Sequence, residues 1–299
     1  MTRPNQDLTR AAMLMIAAGA AFALINIALQ GATMIAGAAS PSVTFWQYLI
    51  AAAIYLPWIW RNRTALFSTA HPGAHILRVA LGAVGVQLWV AGLAHVPIWQ
   101  AIALILLSPF FVTIGAALAL GEKVTPTRWG AVLVGIVGGA VILEPWSDRF
   151  QLWALLPVAA AAFWAASSVV TKRLTDDDAP ETVTIYLLLL LTPINLGLAF
   201  GVGPGLALPA AAIWMVAAAG LLTALAQHAL VRAYSLADAA FLQPFDHLKL
   251  PLNVGLGALI FGFAPTGSMW LGTAIILAAT FFLFHREARP LRRTALRGA

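Results

Sequence analysis

Cysteine is absent from the chain, and charged residues are scarce, since only 9% of the 299 residues are Asp, Glu, Lys or Arg. The lack of cysteine excludes disulfide frameworks and Cys-based zinc or iron–sulfur sites. A soluble domain carries about 25% charged residues, and 17 basic plus 11 acidic residues are too few to cover a globule of this length. Because 61% of the residues are hydrophobic, a single soluble domain and a disordered chain are both excluded.

Long uncharged runs predict membrane spans. A spanning helix needs roughly 20 apolar residues, and the runs from Arg10 to Arg61 and from Glu181 to Arg232 enclose 50 uncharged residues each. Gly and Pro clusters, such as residues 201–209, divide the longest runs in two. The chain is therefore predicted to be an all-α integral membrane protein with ten transmembrane helices, near residues 11–36, 42–60, 74–94, 98–120, 127–143, 151–171, 182–200, 210–233, 237–262 and 267–285.

The distribution of Lys and Arg predicts the orientation. With both termini in the cytoplasm, 15 of the 17 basic residues fall in cytoplasmic segments, as the positive-inside rule requires. Arg149 falls outside and Lys249 falls within a predicted span. The basic residues are thereby expected to lie beside anionic lipid headgroups, so the net charge of +6 does not indicate binding of nucleic acid.

The sequence also aligns with itself at an offset of 141 residues. Ala20-Ala21-Phe22 meets Ala161-Ala162-Phe163, and Trp129 meets Trp270. The predicted units are a first five-helix repeat at 1–143, a second at 151–285, and a basic cytoplasmic tail at 286–299. Because each unit has an odd number of helices, the second enters the membrane inverted, which is an architecture common among secondary transporters.

The same plan carries a family resemblance. Ala-Ala-Phe-Trp in helix six, Ser108-Pro109 followed by Gly121-Glu122-Lys123, and Pro244-Phe245-Asp246 in helix nine together resemble the EamA-type drug/metabolite transporter superfamily over essentially the whole chain. Phe263 departs from it, because the second half of such proteins often repeats the Gly-Glu pair there. The resemblance implies a bacterial inner-membrane protein that exports amino acids or similar small metabolites, and aromatic amino acid exporters are the members it resembles most.

The ninth predicted helix is the most polar of the predicted spans. Gln243, Asp246, His247, Lys249 and Asn253 fall within an arc of about 160°, and Pro244 and Pro251 lie on the opposite side and favour kinks. A charge inside a membrane is costly, so such residues usually face a cavity or a partner. Asp246 and Lys249 are predicted either to bind an amphoteric ligand or couple protons, or to neutralise each other at i,i+3. His247 is either a proton relay or a satisfied hydrogen-bond donor.

Other spans contribute further candidates for the substrate pathway. Polar groups at like depth on helices three and eight suggest one shared cavity, and Trp164 lies too deep for the interfacial aromatic belt. Hydroxyl groups such as that of Ser168 can instead bond to their own helix. The complete set of candidates on these helices is Asn26, Gln30, Gln87, Trp99, Gln100, Trp164, Ser168, Gln227 and His228.

We therefore predict a secondary transporter that works by alternating access through a central cavity, with Pro109, Pro244 and Pro251 as hinges. The chain has no Walker sequence, no metal-ligand spacing and no defensible catalytic triad, so we expect no enzyme activity, metal or cofactor. The expected partners are the bilayer and a small-molecule substrate, with proton coupling open. A nucleotide-sugar carrier and, less favoured, an intramembrane enzyme are the alternatives. The acidic run Asp176-Asp177-Asp178 predicts only a solvated loop.

Overall fold

The computed structural model describes residues 5–61, 63, 69, 71–119, 124–174, 178, 180–236, 245 and 248–297. These residues form helices and connecting turns, and no strand occurs among them. A π-helical segment, Gly31–Ile35, extends the first helix, and a 3-10 turn, Leu152–Ala154, precedes the seventh. The α-helices are α1 (Asn5–Gln30), α2 (Ser40–Arg61), α3 (Pro72–Leu93), α4 (Ile98–Ile105), α5 (Ser108–Ala119), α6 (Pro126–Leu143), α7 (Leu155–Leu174), α8 (Pro180–Gly201), α9 (Ala210–Leu236), α10 (Lys249–Phe261) and α11 (Gly267–Arg297).

The helix predicted at 98–120 is not continuous. It stops at Ile105 and resumes at Ser108, so that two turn residues separate α4 from α5. Pro109 explains the break, because it has no N–H to offer to the carbonyl of Ile105 and its ring would collide with that carbonyl. Pro109 instead occupies the first turn of α5, where a missing N–H removes no helical hydrogen bond.

The last membrane span was predicted to end near residue 285. Helix α11 continues to Arg297, so the segment predicted as a basic tail is helical over almost its whole length. Its richness in Arg, Ala and Leu favours this outcome, because these residues are strong helix formers.

Six helical segments are long and apolar enough to cross a membrane. Three shorter apolar helices, Ile185–Gly201, Lys249–Phe261 and Gly267–Phe282, accompany them in the described part of the chain. The six segments are Leu8–Ile35, Pro72–Leu93, Ile98–Gly115, Pro126–Leu143, Leu152–Thr171 and Ala210–Leu230.

Helix packing arranges most of these elements around a common centre. Going around that centre, α1 packs on α9, α9 on α2, α2 on α8, α8 on α3, α3 on α7, α7 on α5 and α4, and α4 on α10, which returns to α1. Helices α6 and α11 form a separate pair on one side. Their backbones approach closely, since a Cβ on Gly272 would lie 2.5 Å from the carbonyl oxygen of Gly138. The ring therefore leaves its centre to side chains from α1, α3, α7 and α10.

Candidate substrate site

A buried hydrogen-bond network crosses the centre of the ring. Asn26 on α1 donates from Nδ2 to Oδ1 of Asn253 on α10 at 3.1 Å. Trp89 on α3 donates from its indole Nε1 to Oδ1 of Asn26 at 3.2 Å. Asn253 in turn donates to the carbonyl oxygen of Lys249 at 2.6 Å. All three network side chains are buried, and the network ties three helices that are far apart in sequence.

Aromatic rings extend this network towards α7. The ring centroids of Trp89 and Trp164 lie 5.9 Å apart, and their planes are tilted by 47°. Trp164 is half-buried, whereas Trp89 is only 5% exposed. Aromatic walls beside a few fixed polar groups are typical of small-molecule sites.

An opening lies one turn along α7 from Trp164. Ser168 is exposed, although it continues the helix face of Ala161 and Ala165, which are 0% and 1% exposed. Residues spaced by four and then three lie on one face of a helix. Since the first two are enclosed by protein, the exposure of Ser168 indicates a gap in the packing beside this face, which we call the opening at Ser168. Its hydroxyl donates to the carbonyl oxygen of Trp164 at 2.9 Å.

The cationic side chain of Lys249 lies on the α1 side of the network. Its Nζ lies 5.8 Å from the ring centroid of Phe22, within the range of a cation–π contact. Lys249 is the first residue of α10, where the positive end of the helix dipole disfavours a cation. A charged residue in a membrane-spanning helix usually faces a cavity or a partner, and it is a candidate for a functional role. We call Phe22, Asn26, Trp89, Trp164, Lys249 and Asn253 the central cluster.

Gln30 has a different environment from Asn26, although the two share a face of α1. Gln30 is fully buried and donates from Nε2 to the carbonyl oxygens of Val96 at 2.8 Å and Leu93 at 3.3 Å. Its Oε1 accepts from the backbone N–H of Ile98 at 3.1 Å. Gln30 therefore closes the end of α3 onto the start of α4 and seals one end of the ring. We call this arrangement the Gln30 clamp.

Gln87 points away from the central cluster. Its Nε2 donates to Oγ1 of Thr44 on α2 at 2.6 Å and to Oδ1 of Asn195 on α8 at 3.0 Å. Helix α3 turns by about 100° per residue, so Gln87 and Trp89 lie on nearly opposite sides of it. Gln87 thus joins three helices, as interhelical amides commonly do in membranes.

The candidates on α9 and α4 are not brought to the central cluster by any described contact. His228 is exposed and shares a face of α9 with Leu221 and Leu225, which are also exposed. His228 thus lies on an exposed face of α9, and the shared cavity predicted for it stays a prediction. Gln227 and Gln100 are half-buried, and Trp99 is buried within the apolar core.

Part of the ninth predicted span, residues 237–262, lies outside the described residues. The candidates that fall there are Gln243, Pro244, Asp246 and His247. The predicted hinge Pro251 is described and lies in the first turn of α10. At that position the missing N–H breaks no bond within α10. The hinge predicted at Pro251 stays a prediction.

The acidic run does not form a solvated loop throughout, which corrects the prediction for Asp178. Its side chain is 8% exposed, and its Oδ2 lies 2.8 Å from Nε2 of the fully buried His75. Thr69 donates its hydroxyl to the same oxygen at 2.8 Å. Burial raises the pKa of Asp178, but the hydrogen bonds from Thr69 and His75 and the nearby His71 and His75 outweigh it, so that its pKa lies below the usual value. Asp176 and Asp177 lie outside the described residues.

Sequence reasoning missed Phe22, Trp89 and His75 as members of these sites, whereas Asn253 was already placed on the polar face of the ninth predicted span. Trp89 carried a weak signal, because it lies two residues from Gln87, which was chosen. Phe22 and His75 carried none, since their partners come from α10 and from the segment before α8.

One solved crystal structure has the same fold, with a TM-score of 0.60 at 17% identity, covering 95% of this chain and 99% of that one. Three bacterial proteins named riboflavin transporter are much more similar in sequence. The protein from Rhizobium johnstonii is 52% identical over 95% of this chain and 94% of its own length. The proteins from Vibrio cholerae and Brucella anthropi are 48% and 45% identical, over 94% and 93% of this chain and 95% and 99% of theirs.

The family comparison covers nearly the whole chain. The model of the EamA-like transporter family matches residues 9–144 and residues 151–285. Members are integral membrane proteins, in agreement with the six long apolar helices, and the bacterial relatives place the chain in the inner membrane. It is thus a small-metabolite transporter, and it belongs to the EamA-like transporter family.

Proposed function

We propose that this chain carries riboflavin across the inner membrane. The observation that carries the proposal is the set of relatives named riboflavin transporter, at 52%, 48% and 45% identity over 93% or more of the chain. The names of these relatives do not indicate amino-acid export. Proteins named S-adenosylmethionine uptake transporter, for example that of Rickettsia felis, are more distant at 26% identity over 84% of this chain.

The central cluster supports this substrate. Riboflavin combines a planar aromatic ring system with a polyhydroxyl chain and carries no net charge at neutral pH. Trp89, Trp164 and Phe22 offer aromatic surface for a planar ring. Asn26 and Asn253 offer amides, each able to donate and to accept hydrogen bonds.

Alternating access would use the two ends of the ring. In the predicted orientation, with both termini in the cytoplasm, the Gln30 clamp lies on the periplasmic side and Ser168 opens towards the cytoplasm. The described state would then be open to the inside. The inverted five-helix repeats remain part of the proposal, supported by the family model matching two successive ranges. Coupling to protons through Asp246 or His247 also stays a prediction.

The direct test is counterflow in proteoliposomes that contain the purified chain. Vesicles loaded with unlabelled riboflavin should accumulate labelled riboflavin, and protein-free vesicles should not. Parallel vesicles loaded with S-adenosylmethionine, aromatic amino acids or nucleotide-sugars should show little exchange. Exchange of amino acids without exchange of riboflavin would overturn the proposal and restore the substrate class expected from the sequence. Chemically altered riboflavin after passage would favour the enzyme alternative.

A further inference from the structure

Trp164 rests on the backbone of α3 at a position that has no side chain. A Cβ placed on Gly85 would lie 2.5 Å from Cδ1 and 2.6 Å from Nε1 of the Trp164 indole. Real carbon atoms do not approach so closely, so any residue other than glycine would force the indole to move. The missing side chain at Gly85 thus provides the space into which the Trp164 indole packs.

The facing ring is held in place by a different element. Trp89 donates its indole N–H to Asn26, and Asn26 is bound in turn to Asn253. Trp89 therefore has a fixed position, 5.9 Å from Trp164 between ring centroids. The opening at Ser168 adjoins Trp164 on α7. The position of Trp164, which Gly85 sets, consequently fixes how much room remains for a ring that enters beside it.

We propose that Gly85 and Trp164 set the size of the ring system that the site accepts. The proposal rests on the proposed function, because it concerns how the same site would hold riboflavin. With glycine at position 85, the indole lies back against α3 and leaves room for a three-ring flavin. A methyl group there moves the indole into the site and leaves room only for a smaller ring. A single methylene in a pocket changes selectivity by about 10- to 200-fold.

A pair of ligands that differ only in ring number tests this. Riboflavin has three fused rings, and 6,7-dimethyl-8-ribityllumazine has two, with the same ribityl chain and the same imide edge. Dissociation constants for both would be measured on the purified full chain in nanodiscs. We expect Gly85→Ala to weaken riboflavin binding at least tenfold and to change lumazine binding less than threefold. Adding Trp164→Phe to Gly85→Ala should restore riboflavin binding, because the smaller ring relieves the collision.

Gly92→Ala is the matched control. It disturbs the same contact between α3 and α7, because its Cβ would lie 3.0 Å from Cδ of Pro157, but it does not touch Trp164. We expect it to change the affinity for both ligands by the same factor. If Gly85→Ala also weakens both ligands equally, or if Trp164→Phe fails to restore riboflavin binding, the inference is overturned while riboflavin transport stands.

Two further outcomes separate this inference from the proposed function. A wild-type chain that binds neither ligand overturns both. If Gly85→Ala does not fold, the single variant Trp164→Phe tests the inference instead, because its smaller ring widens the site. A flavin with a bulky dimethylamino group at position 8 should then gain at least threefold in affinity relative to riboflavin. An unchanged ratio would contradict the role assigned to the pair.

Discussion

Asn26 and Asn253 are bound to each other across the centre of the protein, with Nδ2 of the first donating to Oδ1 of the second at 3.1 Å. The two residues lie 227 positions apart, one in each of the two ranges that match the family model. Because both amides are buried and paired, neither can separate without leaving a polar group unsatisfied.

Replacing Asn253 with alanine should therefore reduce both stability and transport. Loss of its amide leaves Asn26 without an acceptor, and a buried unsatisfied group costs about 1–3 kcal/mol. We expect a lower thermal midpoint and an initial riboflavin uptake rate at least tenfold below wild type. Thr280→Val is the matched control, because Thr280 is equally buried but bonds only to the carbonyl of Ile276 in its own helix. Wild-type uptake by Asn253→Ala would show that the pair is dispensable.

His228→Leu should leave riboflavin uptake within twofold of wild type. The side chain shares the outward face of α9 with Leu221 and Leu225, so leucine suits the site in a bilayer. Initial uptake rates in proteoliposomes, corrected for the amount of inserted protein, measure this. A loss of tenfold or more would place His228 in the pathway after all.

Gln87→Leu should weaken the fold without changing how the substrate binds. It removes the hydrogen bonds to Thr44 and Asn195, and interhelical bonds in membranes contribute about 0.6 kcal/mol each on average. We expect a lower thermal midpoint and a KM for riboflavin within twofold of wild type. Thr192→Val, which loses only a bond to its own helix, should shift the midpoint less. A large rise in KM would argue that Gln87 contacts the substrate.

The contact between Asp178 and His75 should make part of the stability depend on pH. Because the pKa of Asp178 in the folded protein lies below its usual value, the ionised carboxylate stabilises the fold at pH values above that usual value, and this contribution is lost as the pH falls through the lower folded pKa. We expect Asp178→Asn to lower the thermal midpoint at pH 7, and the difference from wild type to shrink below about pH 4. Thermal scans of both proteins between pH 7 and pH 3 measure it. A difference that stays constant over this range would assign the effect to packing.

Glu144→Gly should stabilise the protein slightly. Glu144 ends α6 in the left-handed region, with φ of 47°, and glycine is the residue that best tolerates this conformation. The ion pair with Arg149 is long at 3.9 Å and largely exposed on the Arg149 side, so its loss costs little. Relief of the left-handed conformation, about 1–2 kcal/mol, exceeds the unfolded-state entropy that glycine adds, about 0.4–1 kcal/mol. We therefore expect a gain of about 0.5–1 kcal/mol with unchanged uptake, measured by thermal unfolding in detergent. A loss of stability would mean that the pair with Arg149 outweighs the backbone strain.

The membrane class could be predicted from the sequence, and helix ends such as those of α6 were placed within a residue, because hydropathy and turn residues act locally. Which residues meet could not be predicted. Asn26 and Gln30 lie on one face of α1, yet one joins the central cluster and the other closes a helix corner. The rotation of each helix decides this, and spans that are apolar on all sides leave it undetermined.

Gly85 illustrates the same limit. In a chain with 24 glycines, one more glycine in an apolar helix carries no signal, and only the position of Trp164 gives it meaning. The substrate class was also beyond the sequence patterns, because Trp164 is the one residue that the family motifs share with the central cluster, and a single tryptophan does not specify a ligand.

The opening at Ser168 has a practical consequence, because the chain contains no cysteine. A single Ser168→Cys substitution would supply the only thiol in the protein, at an exposed position beside the aromatic walls. A membrane-impermeant maleimide added to one side of a vesicle would react with this thiol only when the opening at Ser168 faces that side. Because the natural sequence has no thiol that would react with the maleimide, no cysteine has to be removed first, and a single label at position 168 can follow the transport cycle.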